Sequence, residues 1–368
     1  MEIIKIDDLQ KLENYKGAWN EVLDKIDSDN IFLTYDFIAT FLKYFDYKEI
    51  IILIIKDKSE IIGIAPLIKT DSETIEFIRN GHSYEPDFII KRNKEEVIEA
   101  VIKYFIESEN WKKIVLNDVN EVSSMLIKKA IKKTNLLITV QEGRISPIIK
   151  VDKSWNDYLN SRSKKNRHHI KQYLKNIENK DFSITNFRKS EEIGDGMDAL
   201  VEVSKKSWQE RNKSAISSSA TLKGFYQELA KSSSKLDQVM ISILFFKDSP
   251  ISFMYYLMFK NKFYTLKWGY DEKYMTCSPG GILISNVFKD IFEKSKAETI
   301  DLLGEFDTFK KNWTDEGIRH KNITIYKQNL TNSLKVFAIN HWNKIKDNRE
   351  NNILFNFSWK IVNKLKKK

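Results

Sequence analysis

The chain has 368 residues, of which 42% are hydrophobic and 12% aromatic. This is enough apolar side chain to bury a large core, and about 100–200 residues per domain predicts two domains and excludes global disorder. The net charge of +10 would suggest nucleic acid or an anionic membrane as partner. However, residues 151–180 carry eight basic side chains against three acids, and residues 359–368 carry five lysines and no acid. The rest of the chain sums to zero, so nucleic acid is not the expected partner.

Metal sites, disulfides and membrane spans are not expected. Cys277 is the only cysteine, which excludes an internal disulfide and a thiolate zinc site, and the five histidines lack metal-ligand spacing. The first residues do not form a signal peptide, and the longest aliphatic run, residues 50–55, is far shorter than the ~20 residues of a spanning helix. These features predict a cytoplasmic protein.

In chain order, the first half begins with two helical stretches and continues with a β-hairpin whose turn is Lys56-Asp57-Lys58-Ser59. A third strand, a helix with one apolar face and a short buried strand complete this unit. A further hydrophobic segment, residues 136–140, precedes the expected domain boundary after residue 147. The predicted elements are helices at 18–25 and 35–45, the hairpin at 50–69, a strand at 74–79, a helix at 95–107 and a strand at 113–116.

The second half repeats this order after one predicted basic helix at residues 154–178, which Ser154 caps. Equivalent positions are 191 residues apart at the hairpin turns and 186 apart at the last strand, which indicates a duplicated α/β unit and excludes a solenoid. The predicted elements are helices at 197–211 and 222–231, a hairpin at 238–259, a strand at 263–270, a helix at 281–294 and a strand at 299–303.

This order of elements resembles the GNAT acyltransferase fold. The second half is similar to the cellulose-biosynthesis-type (CelD/BcsL-like) branch, which is related to the Fem peptidyltransferases that carry two such domains. The matching residues are Ser154-Trp155, Tyr158-Leu159, Arg167, Ser207-Trp208, Arg211, Tyr270-Asp271, Tyr274, Ser278-Pro279-Gly280, Phe309-Lys310 and Trp313.

The resemblance implies an α/β (α+β) protein of two tandem GNAT-like domains, each a mixed, mostly antiparallel sheet flanked by helices. Residues 1–147 would form a degenerate N-terminal domain and residues 148–330 the acyltransferase domain. Residues 331–368 would form a basic amphipathic helical tail that packs on its own domain or contacts an anionic membrane at its surface.

The loop before the helix at 281–294 is the expected coenzyme site. Free N–H groups and the positive end of a helix macrodipole attract phosphate, and glycine lets the backbone approach closely. The equivalent loop of the first half, residues 90–96, has no glycine and carries two glutamates, so only the second half is expected to bind acetyl-CoA or another acyl-CoA. The resemblance implies cofactor-binding roles for Trp268, Gly269, Ser278, Pro279, Gly280 and Gly281.

The chemistry implied by the resemblance is transfer of an acetyl (acyl) group to an amine, or less favourably a hydroxyl, of an anionic sugar or sugar nucleotide for cell-surface polysaccharide. Candidate bases are Asp271, Glu305 and Asp307, with His82 in the polar loop 80–87 of the first half as a further candidate. Tyr270 or Tyr274 is the candidate acid for the leaving thiolate. The candidates for holding the acceptor are Arg162, Arg167, Trp208, Arg211, Asp307 and Lys310.

Two alternatives stay open from the sequence. A Fem-like transferase would take its group from aminoacyl-tRNA, although no sustained heptads indicate the coiled-coil arm that those proteins usually carry. A non-catalytic binding protein would keep the fold with a degenerate coenzyme site, because Thr276 and Cys277 stand where the superfamily has Arg or Gln before its glycines.

Overall fold

The computed structural model describes residues 1–108 and 110–350. The first half carries the predicted helix–helix–hairpin–strand–helix–strand order and adds an edge strand before it and a helix and a long strand after it. Its elements are β1 (Glu2–Ile6), α1 (Leu9–Glu13), α2 (Lys16–Asp24), α3 (Tyr35–Tyr44), β2 (Glu49–Asp57), β3 (Glu60–Lys69), β4 (Thr74–Phe77), β5 (Ile89–Ile90), α4 (Lys94–Glu107), β6 (Lys113–Val119), α5 (Glu121–Ile131) and β7 (Leu137–Lys150).

The second half repeats the unit, which confirms the predicted duplicated α/β fold. Its elements are α6 (Trp155–Ser161), α7 (Lys164–Asn176), β8 (Phe182–Phe187), α8 (Ile193–Lys205), α9 (Trp208–Arg211), α10 (Ala220–Ser234), β9 (Val239–Phe246), β10 (Ser249–Phe259), β11 (Lys262–Tyr270), α11 (Pro279–Lys294), β12 (Thr299–Asp301), β13 (Gly317–Tyr326) and α12 (Leu330–Glu350). Residues 351–368 of the predicted tail lie outside the described part of the chain. In the described part of the chain, no helix is long and apolar enough to cross a membrane.

One mixed sheet runs through both halves, in the order β1-β2-β3-β4-β6-β13-β7-β12-β11-β10-β9-β8, with β5 paired to β3. The last strand, β13, lies between β6 and β7 of the first half and is antiparallel to both. The C-terminal end of β7 then pairs with β12 of the second half. The boundary expected after residue 147 therefore falls inside β7, and the two halves exchange strands rather than meeting at a linker.

The basic segment predicted as one helix at 154–178 consists of two helices. α6 ends at Arg162, whose backbone is extended, and α7 begins at once with Ser163 as its own N-cap, accepting a hydrogen bond from the Asn166 N–H at 3.2 Å. In a continuous helix the Asn166 N–H would be paired with a backbone carbonyl one turn earlier. Ser163 accepts from this N–H instead, so the helix can break between α6 and α7 without an unpaired donor. This break turns α7 toward α11.

Three hydrophobic clusters hold the layers together. Helices α3, α8 and α10 fill one face of the sheet with a single cluster that contains residues from both halves, including Phe37 and Phe225. The other face carries two separate clusters, one under α4 and α5 and one under α6, α7 and α11. Gly224 of α10 lies so close to the Tyr44 ring of α3 that a Cβ there would be 2.5 Å from it. The halves therefore pack as one body on the shared face.

Candidate functional site

The two parallel strands at the centre of the second half diverge after a short pairing. β11 and β12 pair only from Lys262 with Thr299 to Tyr264 with Asp301, after which β12 ends and β11 continues to Tyr270. The chain turns away from β11 at two residues with positive φ, Leu303 at 53° and Gly304 at 62°. Among the residues that the structure describes, no strand therefore lies beside this edge of β11 along its second half.

A register shift lies at the same place. The pairing of β10 with β11 changes between Tyr255 and Tyr256, which face Lys267 and Thr265, so Leu266 is an extra residue in β11. Such a bulge reverses which side chains face which side of a sheet. Beyond it, Trp268 and Tyr270 point toward α11, and Lys267 points to the face shared by the two halves.

A cleft of about 290 Å³ opens beside the diverging strands at the N-terminus of α11. Ser278 adopts the left-handed conformation before α11 and Pro279 occupies its first position, where the missing N–H costs no hydrogen bond. The Trp268 ring lies 4.7 Å from the Phe309 ring, centroid to centroid, and forms an aromatic wall. The cleft is lined by Asn166, His169, Ile170, Tyr173, Trp268, Tyr270, Met275, Ser278, Pro279, Gly280, Gly281, Phe309, Asn312 and Trp313.

The two glycines at the start of α11 keep this cleft open and its backbone accessible. A Cβ on Gly281 would lie 2.7 Å from the Tyr173 ring, and one on Gly280 would lie 3.3 Å from the Tyr270 ring. The first N–H groups of a helix have no acceptor within the helix, and the macrodipole places partial positive charge there. The loop thus offers a phosphate two N–H groups at close range.

Five of the six predicted coenzyme-binding residues line this cleft: Trp268, Ser278, Pro279, Gly280 and Gly281. Gly269 faces the opposite side of the sheet, where a Cβ would lie 2.8 Å from the Phe253 ring and 3.5 Å from Gln209 Oε1. Its small size therefore serves the packing of the shared face. The side-chain amide of Gln209 donates to the Trp268 carbonyl at 3.0 Å and helps hold the end of β11 in place.

The predicted acid and bases are spread over three environments. Tyr270 lines the cleft. Asp271 is buried, and its carboxylate accepts from the Lys273 N–H at 2.9 Å, capping the turn before Ser278. Glu305 and Asp307 are exposed on the loop after β12. Among the described residues that line the cleft, none is Asp or Glu.

Two of the predicted acceptor-binding residues hold the wall of the cleft. Arg162 donates to the Trp313 carbonyl at 3.1 Å and lies over the Tyr158 ring. Lys310 donates to the carbonyls of Leu303 at 2.6 Å and Glu305 at 3.0 Å, and burial lowers its pKa. These contacts fix the segment that carries Phe309 and Trp313, which makes Arg162 and Lys310 positioning residues for the aromatic wall.

The remaining acceptor candidates lie elsewhere. Arg167 donates to the Asn160 carbonyl at 3.1 Å and so braces the turn between α6 and α7. Asp307 caps the turn at residues 310–312 through the Lys310 N–H at 2.7 Å. Arg211 forms an ion pair with Glu272, and Trp208 is half-buried at the start of α9. The structure therefore does not bring the six together at one point.

Lys267 was not among the residues expected to form the site, whereas His82 was a candidate base. The Lys267 ammonium donates to the Ser214 carbonyl at 3.3 Å, and burial lowers its pKa to about 8. His82 comes from the first half, makes a 3.0 Å hydrogen bond with the Tyr226 hydroxyl, and has its pKa lowered to about 4 by burial and by Lys267. The sequence signal for Lys267 was a single lysine between apolar residues of a buried strand.

A buried charged cluster joins the halves where β11 and β12 separate. Lys262 lies between Asp301 at 3.0 Å and Glu85 at 3.3 Å, and His320 is 3.7 Å from the other oxygen of Glu85. Burial, together with the nearby Asp301, raises the pKa of Glu85 to about 7. His320 is also hydrogen-bonded to Ser146 at 3.0 Å. Loop 80–87 of the first half thereby forms one side of the opening between the strands.

Residues 164–311 match the family profile described as an acetyltransferase (GNAT) domain, which is less than half of the chain. A comparison with curated proteins gave no significant match. The matched region contains both β11 and α11, and all the residues that line the cleft except Asn312 and Trp313.

Solved structures extend the similarity of fold to nearly the whole chain. FemX has a TM-score of 0.59 at 12% identity, covering 89% of this chain and 98% of that chain. L-PGS from Bacillus licheniformis has a TM-score of 0.53 at 13% identity, with coverage of 92% and 98%. The C-terminal domain of a putative lysylphosphatidylglycerol synthetase from Agrobacterium fabrum has a TM-score of 0.52 at 9% identity, with coverage of 89% and 96%. The protein thus has a mixed α/β, tandem GNAT-like fold.

Proposed function

We propose that this protein is an N-acyltransferase that moves an acetyl or other acyl group from acyl-CoA to an amine of a sugar or nucleotide sugar, in cell-surface polysaccharide synthesis. The observation that carries the proposal is the cleft where the Pro279-Gly280-Gly281 start of α11 meets the free edge of β11. The sugar acceptor and the pathway come from the resemblance to the CelD/BcsL-like branch.

The residues of the cleft fit the parts of a coenzyme thioester. The N–H groups of Gly280 and Gly281 and the helix macrodipole would hold the phosphates. α7 borders the same cleft through Asn166, His169, Ile170 and Tyr173, and the net positive charge of this helix favours the phosphates of the donor as much as an anionic acceptor. Trp268, Phe309 and Trp313 offer an apolar surface for the thioester arm.

The acyl group passes directly from donor to acceptor, so the transfer needs no covalent intermediate on the protein. The acceptor nitrogen attacks the thioester carbonyl carbon, a C–N bond forms, and the C–S bond breaks. Backbone N–H groups on the free edge of β11 can stabilise the negative charge that develops on the carbonyl oxygen. The amine proton is released to solvent, because no Asp or Glu among the described residues lines the cleft, and the leaving thiolate takes a proton from Tyr270, which does line it.

Titration calorimetry with acetyl-CoA tests the donor site. Gly280→Asp places a carboxylate at the second position of α11, and we expect affinity to fall about tenfold or more, which corresponds to 1.4 kcal/mol. Gly194→Asp is the matched control, because Gly194 is the second residue of α8 and a Cβ there meets nothing within 4 Å. If the folded chain does not bind acetyl-CoA at millimolar concentration, the proposed donor is wrong. If acetyl-CoA does bind, mass-spectrometric screening of nucleotide sugars together with acetyl-CoA would identify the acceptor.

A second candidate is a Fem-like transferase that takes its group from aminoacyl-tRNA. It is favoured by the fold similarity to FemX, to L-PGS and to the putative lysylphosphatidylglycerol synthetase domain over nearly the whole chain. A gel shift with charged tRNA at low and high salt separates the candidates, because phosphate contacts weaken steeply with salt. Salt-sensitive tRNA binding without acetyl-CoA binding would favour this second function.

A further inference from the structure

Two lysines of β11 have opposite electrostatic surroundings. Lys262 is buried between two carboxylates, Asp301 at 3.0 Å and Glu85 at 3.3 Å. Lys267 is half-buried, and its ammonium donates to the Ser214 carbonyl at 3.3 Å. Burial alone lowers the pKa of Lys267 to about 8, and among the described residues no carboxylate forms an ion pair with it. A cation held away from water without a counter-ion is costly, so a ligand could supply the missing negative charge there.

Two polar atoms beside Lys267 also lack a hydrogen-bond partner among the described residues. Tyr255 is opposite Lys267 in the register of β10 and β11, so the two side chains are neighbours on the face shared by the halves. The Tyr255 hydroxyl is buried and unpaired, and burial raises its pKa well above the usual value, so it keeps its proton and can donate. Gln209 Oε1, which lies beside Gly269, is also buried and unpaired. One ammonium, one hydroxyl and one amide oxygen are therefore available to a ligand along this face of β11.

We propose that Lys267 and Tyr255 bind a carboxylate or phosphate group of the acyl acceptor, on the face of β11 opposite the donor cleft. The ammonium forms an ion pair with this group, and the hydroxyl donates a second hydrogen bond to it. The free edge of β11 begins after Tyr264, and Lys267 is three residues further on, about 10 Å along the strand. A ligand held by Lys267 therefore lies beside the edge that would hold the thioester carbonyl. The name acceptor rests on the proposed function, whereas the anion site does not.

The described groups around Lys267 keep their charge between pH 7 and pH 9. Burial and Lys267 lower the pKa of His82 to about 4, and burial raises the pKa values of Tyr226 and Tyr255 well above their usual range. The charged side chains on the adjacent α8 and α9 have other partners: Lys206 with Glu202, Arg211 with Glu272, and Glu210 with the Ser217 hydroxyl. Because Lys267 has a pKa of about 8, affinity for a fully ionised anion should fall about tenfold from pH 7 to pH 9.

Urea unfolding of the full chain tests the site, with succinate as the carboxylate probe, sulfate as the phosphate-like probe, and chloride at equal ionic strength as the reference. A bound anion lowers the unfolding equilibrium constant about tenfold at ten times its dissociation constant. Such salts also stabilise proteins in general, so the result is the difference between wild type and Lys267→Met. We expect this difference with at least one probe, and the preferred probe distinguishes a carboxylate from a phosphate. The matched control is Lys223→Met, an exposed lysine of α10, which should respond as wild type.

Two further measurements locate the anion. Tyr255→Phe removes only an unpaired hydroxyl, so the chain should be at least as stable as wild type and should bind the probe about threefold or more weakly. The affinity for acetyl-CoA should not change when the probe replaces chloride, because the two sites lie on opposite faces. The proposal is overturned if Lys267→Met responds to both probes as wild type, if affinity is equal at pH 7 and pH 9, or if the probe competes with acetyl-CoA. The unfolding measurements contain no acetyl-CoA, so their failure would leave the proposed donor site untouched.

Discussion

Replacing Gly281 by alanine puts a methyl group where the Tyr173 ring already lies. The new Cβ would be 2.7, 2.8 and 3.0 Å from three atoms of that ring, whereas carbon atoms rest at about 3.5–4.0 Å. The ring must therefore move by about 1 Å, and it borders the cleft, which is the open space nearby. The substitution should consequently narrow the proposed donor site.

The magnitude follows from two opposing terms. Overpacking lowers the free energy of unfolding by about 1–3 kcal/mol. Replacing glycine by alanine within a helix raises it by up to about 1 kcal/mol. We expect Gly281→Ala to lower the free energy of unfolding by about 0–2 kcal/mol and to weaken acetyl-CoA binding about tenfold or more. Gly17→Ala is the control, because a Cβ on Gly17 in α2 meets nothing within 4 Å and should stabilise by about 0.5–1 kcal/mol.

The assay is a double-mutant cycle with Tyr173→Ala, read by denaturant unfolding and by calorimetry with acetyl-CoA. Removing the ring removes the clash, so the double variant should be more stable than the sum of the two single changes predicts. If the two substitutions are additive in stability, the Tyr173 ring does not pack on the first turn of α11 and the reasoning fails. If stability shows coupling but affinity is unchanged, the cleft is not the donor site.

Three further predictions concern the junction of the halves. Gly224→Ala places a Cβ 2.5 Å from the Tyr44 ring, so it should destabilise the whole chain by about 1–3 kcal/mol in a single unfolding transition; two separate transitions would contradict the shared core. Lys267 has a folded pKa of about 8, below its unfolded value, so wild type should gain stability relative to Lys267→Met as pH rises from 8 toward 10, and equal pH profiles would refute this. Glu85 has its pKa raised to about 7, so wild type should lose stability relative to Glu85→Gln as pH rises from about 5 to 7, which urea unfolding at several pH values will measure.

Local sequence patterns predicted the strands that are buried on both faces of the sheet. The hairpins at 50–69 and 238–259 are nearly continuous apolar runs with polar turns, and such runs are typical of buried strands. The Pro279-Gly280-Gly281 start of α11 was also predictable, because proline fixes φ at a value that suits the first position of a helix and glycine has no side chain to block close approach. The sequence thus predicted the fold class, and five of the residues that it singled out for a coenzyme line one cleft.

Long-range pairing was not predictable in the same way. β13 (Gly317–Tyr326) contains both polar and apolar residues without a clear period. Its partners β6 and β7 lie about two hundred residues earlier, and its local sequence does not predict this pairing. The proximity of His82 to Lys267 depends on the same packing of the halves. Arg162 and Lys310 looked like ligands for anions because a charge count does not show that backbone carbonyls already accept their N–H groups.

The insertion of β13 also has a consequence for synthesis of the chain. β6 and β7 are hydrogen-bonded to β13 and not to each other in the described sheet, so the first half cannot complete its sheet until residue 326 has left the ribosome. A truncated product that ends before β13 would expose two strand edges, which are prone to aggregate. The duplicated halves therefore form one unit of folding, because β13 completes the sheet of the first half and β7 of the first half pairs with β12 of the second.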